Sequence, residues 1–567
     1  MRTVLRSAGA ALALAGVCLV GSATAAAPSA ETIYLNGRIH TQDSERSIAN
    51  AVAIAEGRFI AVGEEETVRA HADDSTRIID LHGKTVVPGI VDGHGHYVRG
   101  FKRQLFSCDF PSSAEPDEIT ERVKQCVADA KPGEWVVGGA WASAYADSGK
   151  IDRTRLDAVS PDNPVYLLDD TGHNGYVNSK ALKAAGFTKK RAAEMAAIQT
   201  DADGEPNGIL FEEAAGELTQ AIPPMSDAKY QQTVRRSVNE ANRFGITTFV
   251  EARTDRPTVR AYHDVDQKDG LHARVATFLQ YDTDFNETAA EQRKTLADRA
   301  QYRSNNVYPD FAKLYLDGVP PALTASLLEP YEAGVLEAKG QPADYKGELR
   351  MKPDAITQDA IELARQGVTV KMHATGDGSV RAALDAFEAA RKANPEGELH
   401  HSIAHASVVA PADLKRFAEL DVAADVAPPL WIRGPYSSAM RNAIGHRYDK
   451  TPPTKALLDA GAVIAYGSDW PSISSSINPW PHLASMVERE IGPEESISLQ
   501  AAVDTMTRGA AYTLNLSDEI GSIEAGKSAD LVVLDRDIFD IPNAEIADTK
   551  ALRTVFRGKT VYEAQSP

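Results

Sequence analysis

The sequence is poor in cysteine. Its 567 residues include only three cysteines, too few for a disulfide scaffold. A chain of this length must therefore be held together by a large buried core. The hydrophobic share of 43% and the charged share of 25% are typical of soluble globular proteins. They exclude a disordered chain, a collagen-like chain and a membrane protein with many spans.

The sequence also lacks an excess of positive charge. Lys and Arg number 60 against 80 Asp and Glu, which gives a formal net charge of -20 at pH 7. Binding to a phosphate backbone requires an excess of Lys and Arg. The composition therefore excludes a general nucleic-acid binder, and we expect a small molecule as the partner.

Long hydrophobic runs are absent too. The apolar run from Ala8 to Val20 holds about 13 residues, short of the ~20 that cross a bilayer. Arg2 and Arg6 precede this run and small residues follow it, which is the pattern of a cleavable signal peptide over residues 1–27. We therefore expect an exported protein, periplasmic or secreted, without a membrane span. A membrane anchor is the alternative, which the short run disfavours.

Removal of the signal peptide would take Cys18 away and leave Cys108 and Cys126. In an oxidising compartment, an isolated pair of cysteines can join. We therefore expect a disulfide between these two residues. Two unpaired buried thiols are the alternative.

Apolar runs of strand length recur along the chain and end in polar or glycine-bearing segments. Most are separated by amphipathic segments of helix length, such as residues 354–366 and 378–394. Alternating strands and helices indicate parallel βα units, and eight such units close into a (β/α)8 TIM barrel of the α/β class. The eight runs cover residues 85–91, 245–250, 273–279, 312–316, 368–372, 402–404, 422–426 and 463–466.

The gap between the first two runs is far too long for a single helix. We expect a long insertion after the first strand, at about residues 98–243, with mixed and mainly helical structure over one barrel face. Two pieces rich in β-strand pattern, at residues 32–80 and 521–562, flank the barrel and favour one small β-sandwich built from both termini. The predicted domains are a composite β-sandwich of residues 28–84 and 515–567 and a barrel of residues 85–514.

Side chains that bind metal ions stand at the ends of four predicted strands. His94 and His96 are two residues apart in an extended segment, so both imidazoles can point at one ion. His373, His405 and Asp469 follow three other strands. Because active sites of such barrels lie at the carboxyl ends of the strands, we expect the five side chains to converge on the barrel mouth. A surface pair and isolated structural histidines are the alternative.

Lys313 lies in the fourth predicted strand. A buried lysine can lose its proton, and the free amine can then add CO2 to become a carbamate that bridges two metal ions. The alternative is a salt bridge between Lys313 and Asp317.

Taken together, these segments resemble the metal-dependent amidohydrolase superfamily, specifically its YtcJ-like branch, amidohydrolase family 3. The likeness runs from about residue 32 to residue 562. It is carried by Pro-Gly-Ile-Val-Asp-Gly-His-Gly-His at 88–96, Lys-Leu-Tyr-Leu-Asp-Gly at 313–318, His-Ala-Thr-Gly-Asp at 373–377, the His405 segment, Gly-Ser-Asp-Trp-Pro at 467–471 and Gly-Ser-Ile-Glu-Ala-Gly-Lys-Ser-Ala-Asp-Leu-Val-Val-Leu at 521–534. Inserted segments at residues 133–141, 169–179 and 204–212 also look like this branch.

The resemblance implies a metal centre and, by the habit of the family, a homodimer. It implies one or two divalent ions, most simply Zn, which imidazole and carboxylate ligands suit. Glu212 matches an acidic position of the branch and competes with Lys313 as the anionic ligand. The branch often has an acidic residue before the sixth-strand histidine, where this chain has Ala404, which casts doubt on a supporting carboxylate there. The implied metal ligands are His94, His96, Lys313 as a carboxylated residue, His373, His405 and Asp469.

The implied reaction is hydrolysis of a non-peptide carbon–nitrogen bond in an amide, formamide or cyclic amide. A Zn²⁺-type ion lowers the pKa of its bound water towards ~7, and Asp469 can take the water proton and pass it to the leaving nitrogen. His173 can hold the developing oxyanion, unless it is a structural histidine. Trp141, Trp431 and Trp470 are expected to line an apolar pocket, unless they belong to the core.

Two other functions fit the same residues. The site can serve a lactone or another ester, or the protein can be an exported binding or regulatory protein that kept its metal and lost turnover. The intact Asp469 argues against the loss of turnover. The sequence has no Gly-x-Ser-x-Gly segment and no early Gly-x-Gly-x-x-Gly segment, which disfavours serine hydrolase and nicotinamide chemistry.

Overall fold

The largest sheet of the protein is a parallel barrel. A computed structural model describes residues 29–282, 287–472 and 474–565. Eight strands pair in chain order, each parallel to its neighbour, which confirms the predicted (β/α)8 architecture. We label them β1 Ile90–Gly95, β2 Ile246–Thr254, β3 Arg274–Gln280, β4 Val307–Tyr315, β5 Thr369–Ala374, β6 Ser402–His405, β7 Ala423–Val426 and β8 Ile464–Tyr466.

The barrel strands are buried on both faces. All residues of β3 and β5 are buried, as expected for parallel strands that are covered by helices outside and by side chains inside. Amphipathic helices return the chain between strands, and Asp255 caps the one after β2 by accepting a hydrogen bond from the Thr258 N–H. These helices include Arg256–Asp269, Ala289–Ala297, Pro353–Arg365, Asp377–Ala393, Leu414–Glu419 and Thr454–Asp459.

The barrel is closed where its last strand meets its first. The Ser468 N–H donates to Asp92 Oδ1 at 2.9 Å, and the Asp469 N–H donates to the His94 carbonyl at 2.7 Å. The segments after β8 are therefore fastened to the end of β1. This contact places Asp469 next to the two histidines of the His-x-His segment.

The insertion after β1 is built around a six-stranded sheet, so it is less helical than predicted. Helices Tyr97–Phe106 and Asp227–Arg243 lead out of and back into the barrel. Cys108 and Cys126 form a disulfide with a Cα–Cα distance of 5.9 Å, which joins the edge strand to helix Pro116–Asp129. In sheet order the strands are Ile198–Thr200, Pro206–Leu210, Gly175–Val177, Val165–Asp169, Val136–Trp141 and Cys108–Asp109.

Strands from both ends of the chain share two further sheets. Tyr34 and Val52 pack with Leu531 and Val555 in one apolar core, as predicted for a composite β-domain. A sheet of four strands orders Arg58–Gly63, Ala51–Ala55, Thr32–Leu35 and Arg77–Asp80. A sheet of six strands orders Lys559–Glu563, Ala551–Phe556, Leu531–Leu534, Thr85–Pro88, Arg38–His40 and Ile48–Ala49.

The first predicted run, residues 85–91, is wrong as a single barrel strand. Its first half, Thr85–Pro88, pairs with Arg38–His40 and Leu531–Leu534 in the terminal sheet. The chain crosses to the barrel at Gly89, where a Cβ would lie 2.1 Å from the Thr247 hydroxyl oxygen. Only glycine fits this close approach. The chain can therefore turn at Gly89, and the two halves of one apolar run pair in two different sheets.

The signal peptide predicted for residues 1–27 lies outside the described residues. Within the described ranges, the helices are all too short or too polar to cross a bilayer. The predicted domain boundaries stay predictions.

Candidate active site

One cavity of about 480 Å³ lies at the carboxyl ends of the barrel strands. Active sites of TIM barrels occupy this face, because the loops that follow the strands meet there. The residues that line the cavity include all six predicted metal ligands of the barrel, namely His94, His96, Lys313, His373, His405 and Asp469. The structure therefore brings these side chains together around one space.

Three of these side chains form a compact group of metal-binding atoms. One nitrogen each of His94 and His96 and one carboxylate oxygen of Asp469 lie within 4.8 Å of one another. Asp469 Oδ1 is 3.4 Å from His96 Nε2 and 3.9 Å from His94 Nε2. Two imidazoles and a carboxylate are ligands that Zn²⁺ and related ions prefer.

Two further imidazoles face the same space. The His405 ring centroid is 4.9 Å from that of His94 and 4.8 Å from that of His373. His373 Nε2 lies 2.9 Å from the Gly318 carbonyl oxygen. Since a carbonyl accepts only, Nε2 carries the proton and the Nδ1 lone pair is the one available to a ligand. His405 and His373 thus extend the donor set beyond the compact group.

The electrostatics keep the histidines in their ligating form. Burial lowers the pKa of His405 to about 4 and lowers the pKa values of His94, His96 and His373 below their ordinary range. Burial also raises the pKa of Asp469, but its hydrogen bond with His96 and the surrounding imidazoles outweigh burial and hold that pKa low. At neutral pH the site therefore offers neutral imidazoles and an ionised carboxylate.

Lys313 is fully buried among these groups, with its Nζ 3.4 Å from His94 Nε2. Burial and the Lys371 cation lower the pKa of Lys313 to about 7. The alternative salt bridge to Asp317 is wrong, because Asp317 accepts hydrogen bonds from the Ser326, Thr375 and Gly376 N–H groups instead. A lysine with so low a pKa has a free amine in a large share of molecules at neutral pH.

The sequence reasoning missed a buried ion pair beneath the site. Asp425, in β7, accepts a hydrogen bond from His94 Nδ1 at 2.7 Å and one from Lys371 Nζ at 2.6 Å. Lys371, in β5, also donates to the Gly93 carbonyl at 2.5 Å. The bond to Asp425 fixes the His94 ring so that Nε2 faces the cavity. The available signal was a charged residue, Lys371 or Asp425, inside each of the mainly apolar runs 368–372 and 422–426.

His173 and Glu212 are placed away from the cavity, contrary to the roles predicted for them. His173 Nδ1 lies 3.1 Å from Glu212 Oε2, and the two side chains are 61% and 71% exposed. Within the described ranges, neither residue lines the cavity that holds the metal-binding group. Both belong to the insertion, whose own sheet positions them, so a match in sequence motif does not carry them to the barrel mouth.

The three tryptophans predicted for the pocket are core residues. Trp141 donates to the Leu167 carbonyl inside the inserted sheet, and Trp431 donates to the Ser485 carbonyl. Trp470 packs against Phe101 with ring centroids 4.5 Å apart. Each is at most 2% exposed, because these large apolar side chains are buried by their own helices and strands. The described residues that do give the cavity its apolar and aromatic lining are Tyr315, Val319, Leu430 and Tyr436.

These donors fit a divalent metal ion. Their ligand atoms face one cavity, their histidines are neutral, and the Asp425 carboxylate orients one ring from behind. His96 Nδ1 is buried and has no hydrogen-bond partner among the described residues, which leaves Nε2 as the nitrogen turned to Asp469. The barrel and this donor set define a metal-dependent hydrolase.

The family model of the amidohydrolase family matches residues 77–562, and the chain belongs to this family. Two similar proteins cover 94% of this chain. Protein LONG AFTER FAR-RED 3 of Arabidopsis thaliana is 28% identical over 551 residues, and the match covers 92% of that protein. N-substituted formamide deformylase of Arthrobacter pascens is 27% identical over 545 residues and covered to 98%.

The YtcJ-like branch is confirmed by a third relative, the protein YtcJ of Bacillus subtilis (strain 168). It is 25% identical over 548 residues, which cover 94% of this chain and 99% of the relative. Among solved structures, an uncharacterised metal-dependent hydrolase from Pyrococcus furiosus matches with a TM-score of 0.71 and 25% identity. The match covers 89% of this chain and 99% of that one.

Proposed function

We propose that the protein hydrolyses a carbon–nitrogen bond outside peptides, in an amide, a formamide or a cyclic amide. The observation that carries the proposal is the buried His94, His96 and Asp469 group at the mouth of the barrel. The 27% identity to a formamide deformylase, over almost the full length of both chains, supports this bond type. The substrate is a small molecule that fits the cavity of about 480 Å³.

In this proposal, the residues that would hold the divalent metal are His94, His96, Asp469, His373 and His405. A bound divalent ion supplies a Lewis acid that lowers the pKa of water and polarises the substrate carbonyl. Asp469 is ionised at neutral pH, so its carboxylate accepts the proton of the attacking water and returns it to the leaving nitrogen. The Leu430 and Tyr436 side chains line the cavity and give it an apolar wall.

We propose zinc as the metal and a carbamate on Lys313 as the bridge between two ions. The Lys313 amine, whose pKa is about 7, adds to CO2 and releases one proton, which gives an anionic oxygen ligand. Metal analysis by plasma mass spectrometry should give two equivalents of zinc for a bridged pair. A single equivalent in both the wild type and Lys313→Met would refute the bridge.

We also propose that the chain is exported after cleavage of residues 1–27 and forms a homodimer. The disulfide between Cys108 and Cys126 supports an oxidising compartment. The intact mass of the protein recovered from the periplasm or the medium should correspond to a chain that begins after Ala25 or Ala27. Sedimentation should give twice the mass of one chain, and a monomer would refute the dimer.

The experiment that tests the reaction is a screen of the metal-loaded protein against matched amides, formamides, lactones and esters. We expect turnover of carbon–nitrogen substrates and a loss of turnover in Asp469→Asn. Asp459→Asn is the matched control, because Asp459 pairs with Lys455 on the surface. Preferred turnover of lactones or esters would show that the protein is a lactone or ester hydrolase instead. Metal binding without any turnover would favour a binding or regulatory protein.

A further inference from the structure

The disulfide between Cys108 and Cys126 lines a cavity that belongs to the insertion and not to the barrel mouth. The volume of this cavity is about 290 Å³, far above the ~10–15 Å³ that one water molecule needs. Its lining includes the exposed side chains of Gln104, Leu105 and Asp129, so the cavity opens at the protein surface. A small molecule that enters it can therefore reach the disulfide.

The two sulfur atoms differ in how accessible they are. Cys108, in the edge strand of the inserted sheet, is 2% exposed, whereas Cys126, on helix Pro116–Asp129, is partly exposed. In thiol–disulfide exchange, a thiolate attacks one sulfur of the disulfide, and access decides which one. A thiolate in the cavity is therefore expected to attack Cys126 Sγ, which makes Cys108 the leaving group.

The leaving sulfur has a hydrogen-bond acceptor in place. Cys108 Sγ lies 3.7 Å from the Arg122 carbonyl oxygen. In the disulfide this sulfur carries no proton, but a thiol at the same position can donate to the carbonyl. Cys108 can thus remain buried after the disulfide opens, while Cys126 carries the incoming group.

The charges around the cavity do not oppose the entry of a thiolate. Arg122 and Lys229 line it together with Asp129 and Glu134, and Lys229 pairs with Glu134. The lining is therefore balanced in charge, although the chain as a whole has a net charge of -20. A balanced lining does not repel an anion as a surface of negative charge does.

The edge strand keeps other attachments when the disulfide opens. The Phe110 N–H donates to the Gly139 carbonyl at 3.2 Å, and Arg122 Nε donates to the Asp109 carbonyl at 3.2 Å. The Asp109 carboxylate also pairs with Arg103. These contacts hold the strand in the sheet, so the exchange can take place on the folded protein.

We propose that Cys126 is a site of reversible modification by a low-molecular-weight thiol of the cysteine or glutathione class. The disulfide lies inside a cavity, and Cys108 is buried, so a small thiol reaches it more readily than the active site of a folded partner protein does. The inference goes beyond the proposed hydrolysis and does not depend on it.

The step balances without an external oxidant. The thiolate R–S⁻ attacks Cys126 Sγ, the Cys126–S–S–R bond forms, and the bond between Cys126 and Cys108 breaks. Cys108 leaves as a thiolate and takes a proton from water. Attack of the Cys108 thiolate on Cys126 Sγ releases R–S⁻ and restores the disulfide, so the modification is reversible.

Two single variants form a matched pair, because both lose the disulfide and keep one of its cysteines. The probe is glutathione disulfide, and peptide mapping by mass spectrometry assigns each adduct, so Cys18 does not enter the count. We expect Cys126 in Cys108→Ser to gain a glutathionyl group at least about tenfold faster than Cys108 in Cys126→Ser, since access controls the exchange. Equal rates, or faster reaction of Cys108, would refute the proposal.

The same pair in urea shows whether the fold causes the difference. The unfolded chain exposes both thiols, so the two variants should then react at similar rates. A difference of about tenfold that persists in urea would contradict the proposal, because local sequence and not the cavity would explain it. Circular dichroism should show the wild-type fold for both variants without urea.

A variant that fills the cavity tests the route of entry. Ala130 lines the cavity, whereas Ala128 is exposed on the preceding helix and does not line it. In the Cys108→Ser background, Ala130→Phe should slow the modification of Cys126 by about tenfold, and the control Ala128→Phe should leave its rate unchanged. An unchanged rate in Ala130→Phe would show that the thiol does not enter through this cavity.

The wild-type protein tests the direction of attack. The folded protein is treated with reduced glutathione, quenched with acid and alkylated with N-ethylmaleimide. We expect molecules with the glutathionyl group on Cys126 and the alkyl group on Cys108. The reverse placement would overturn the proposal, and so would a disulfide that stays intact in the folded protein under conditions that reduce it in urea.

Discussion

The buried pair of Asp425 and Lys371 gives the sharpest prediction for the metal centre. Asp425 is 1% exposed, and its carboxylate accepts from both His94 and Lys371. Asp425→Asn removes the counter-charge and leaves the Lys371 ammonium buried without compensation. Breaking a buried pair by removal of one partner costs about 3–5 kcal/mol of unfolding free energy. The loss of the partner behind His94 should also weaken metal binding by about tenfold to a hundredfold.

Two measurements check this prediction. Urea unfolding of the metal-free protein gives the stability change, and competition with a chelator gives the metal affinity. Asp298→Asn is the matched control, since Asp298 pairs with Lys294 on the surface and should cost only about 0–1 kcal/mol. In the double variant with Lys371→Met, much of the loss should be restored, because neither member of the pair then leaves an uncompensated charge. A loss below about 1 kcal/mol with unchanged metal affinity would refute the reasoning.

Three further predictions follow from the contacts. Asp469→Asn should lower kcat by about 10²–10⁴-fold, measured on the best substrate of the screen, while circular dichroism shows the wild-type fold. The double variant Cys108→Ser, Cys126→Ser removes a disulfide whose cysteines are 18 positions apart in the sequence. It should lower the free energy of unfolding by about 3 kcal/mol, measured by urea unfolding of the unreduced protein. Burial lowers the pKa of His401 to about 3 and that of His482 to about 4, so unfolding free energy should fall from pH 6.5 towards pH 4, where the unfolded chain binds protons first. Stability that is unchanged between pH 7 and pH 5 would contradict this last expectation.

The barrel could be predicted because its strands leave a simple trace in the sequence. A parallel strand covered on both faces reads as a continuous apolar run, and runs such as residues 368–372 and 422–426 became β5 and β7. The carboxyl ends of such strands meet at one mouth, so the grouping of His94, His373 and Asp469 followed from their places at strand ends.

The charged residues in two mainly apolar runs were visible in the sequence, but their pairing across the barrel left no comparable trace. Asp425 and Lys371 are far apart in sequence, and only the closed barrel brings them together beneath His94. The insertion posed a different difficulty, because the position of its sheet relative to the barrel depends on packing. The sequence motif alone therefore does not determine whether His173 reaches the mouth of the barrel. The residue type alone does not distinguish a tryptophan of the core, such as Trp141, from a tryptophan that lines a pocket.

The terminal sheet has a consequence for how the protein is made. Thr85–Pro88 runs through Gly89 into β1, and of its two neighbours in the sheet, Arg38–His40 and Leu531–Leu534, the second lies near the end of the chain. Residues 531–534 are among the last to be synthesised. Until then, one edge of the strand that leads to the His-x-His segment has unpaired backbone groups. Maturation of the active site is thus coupled to completion of the polypeptide. A chain that stops before residue 531 should depend on chaperones and aggregate, even though every metal-binding residue has already been made.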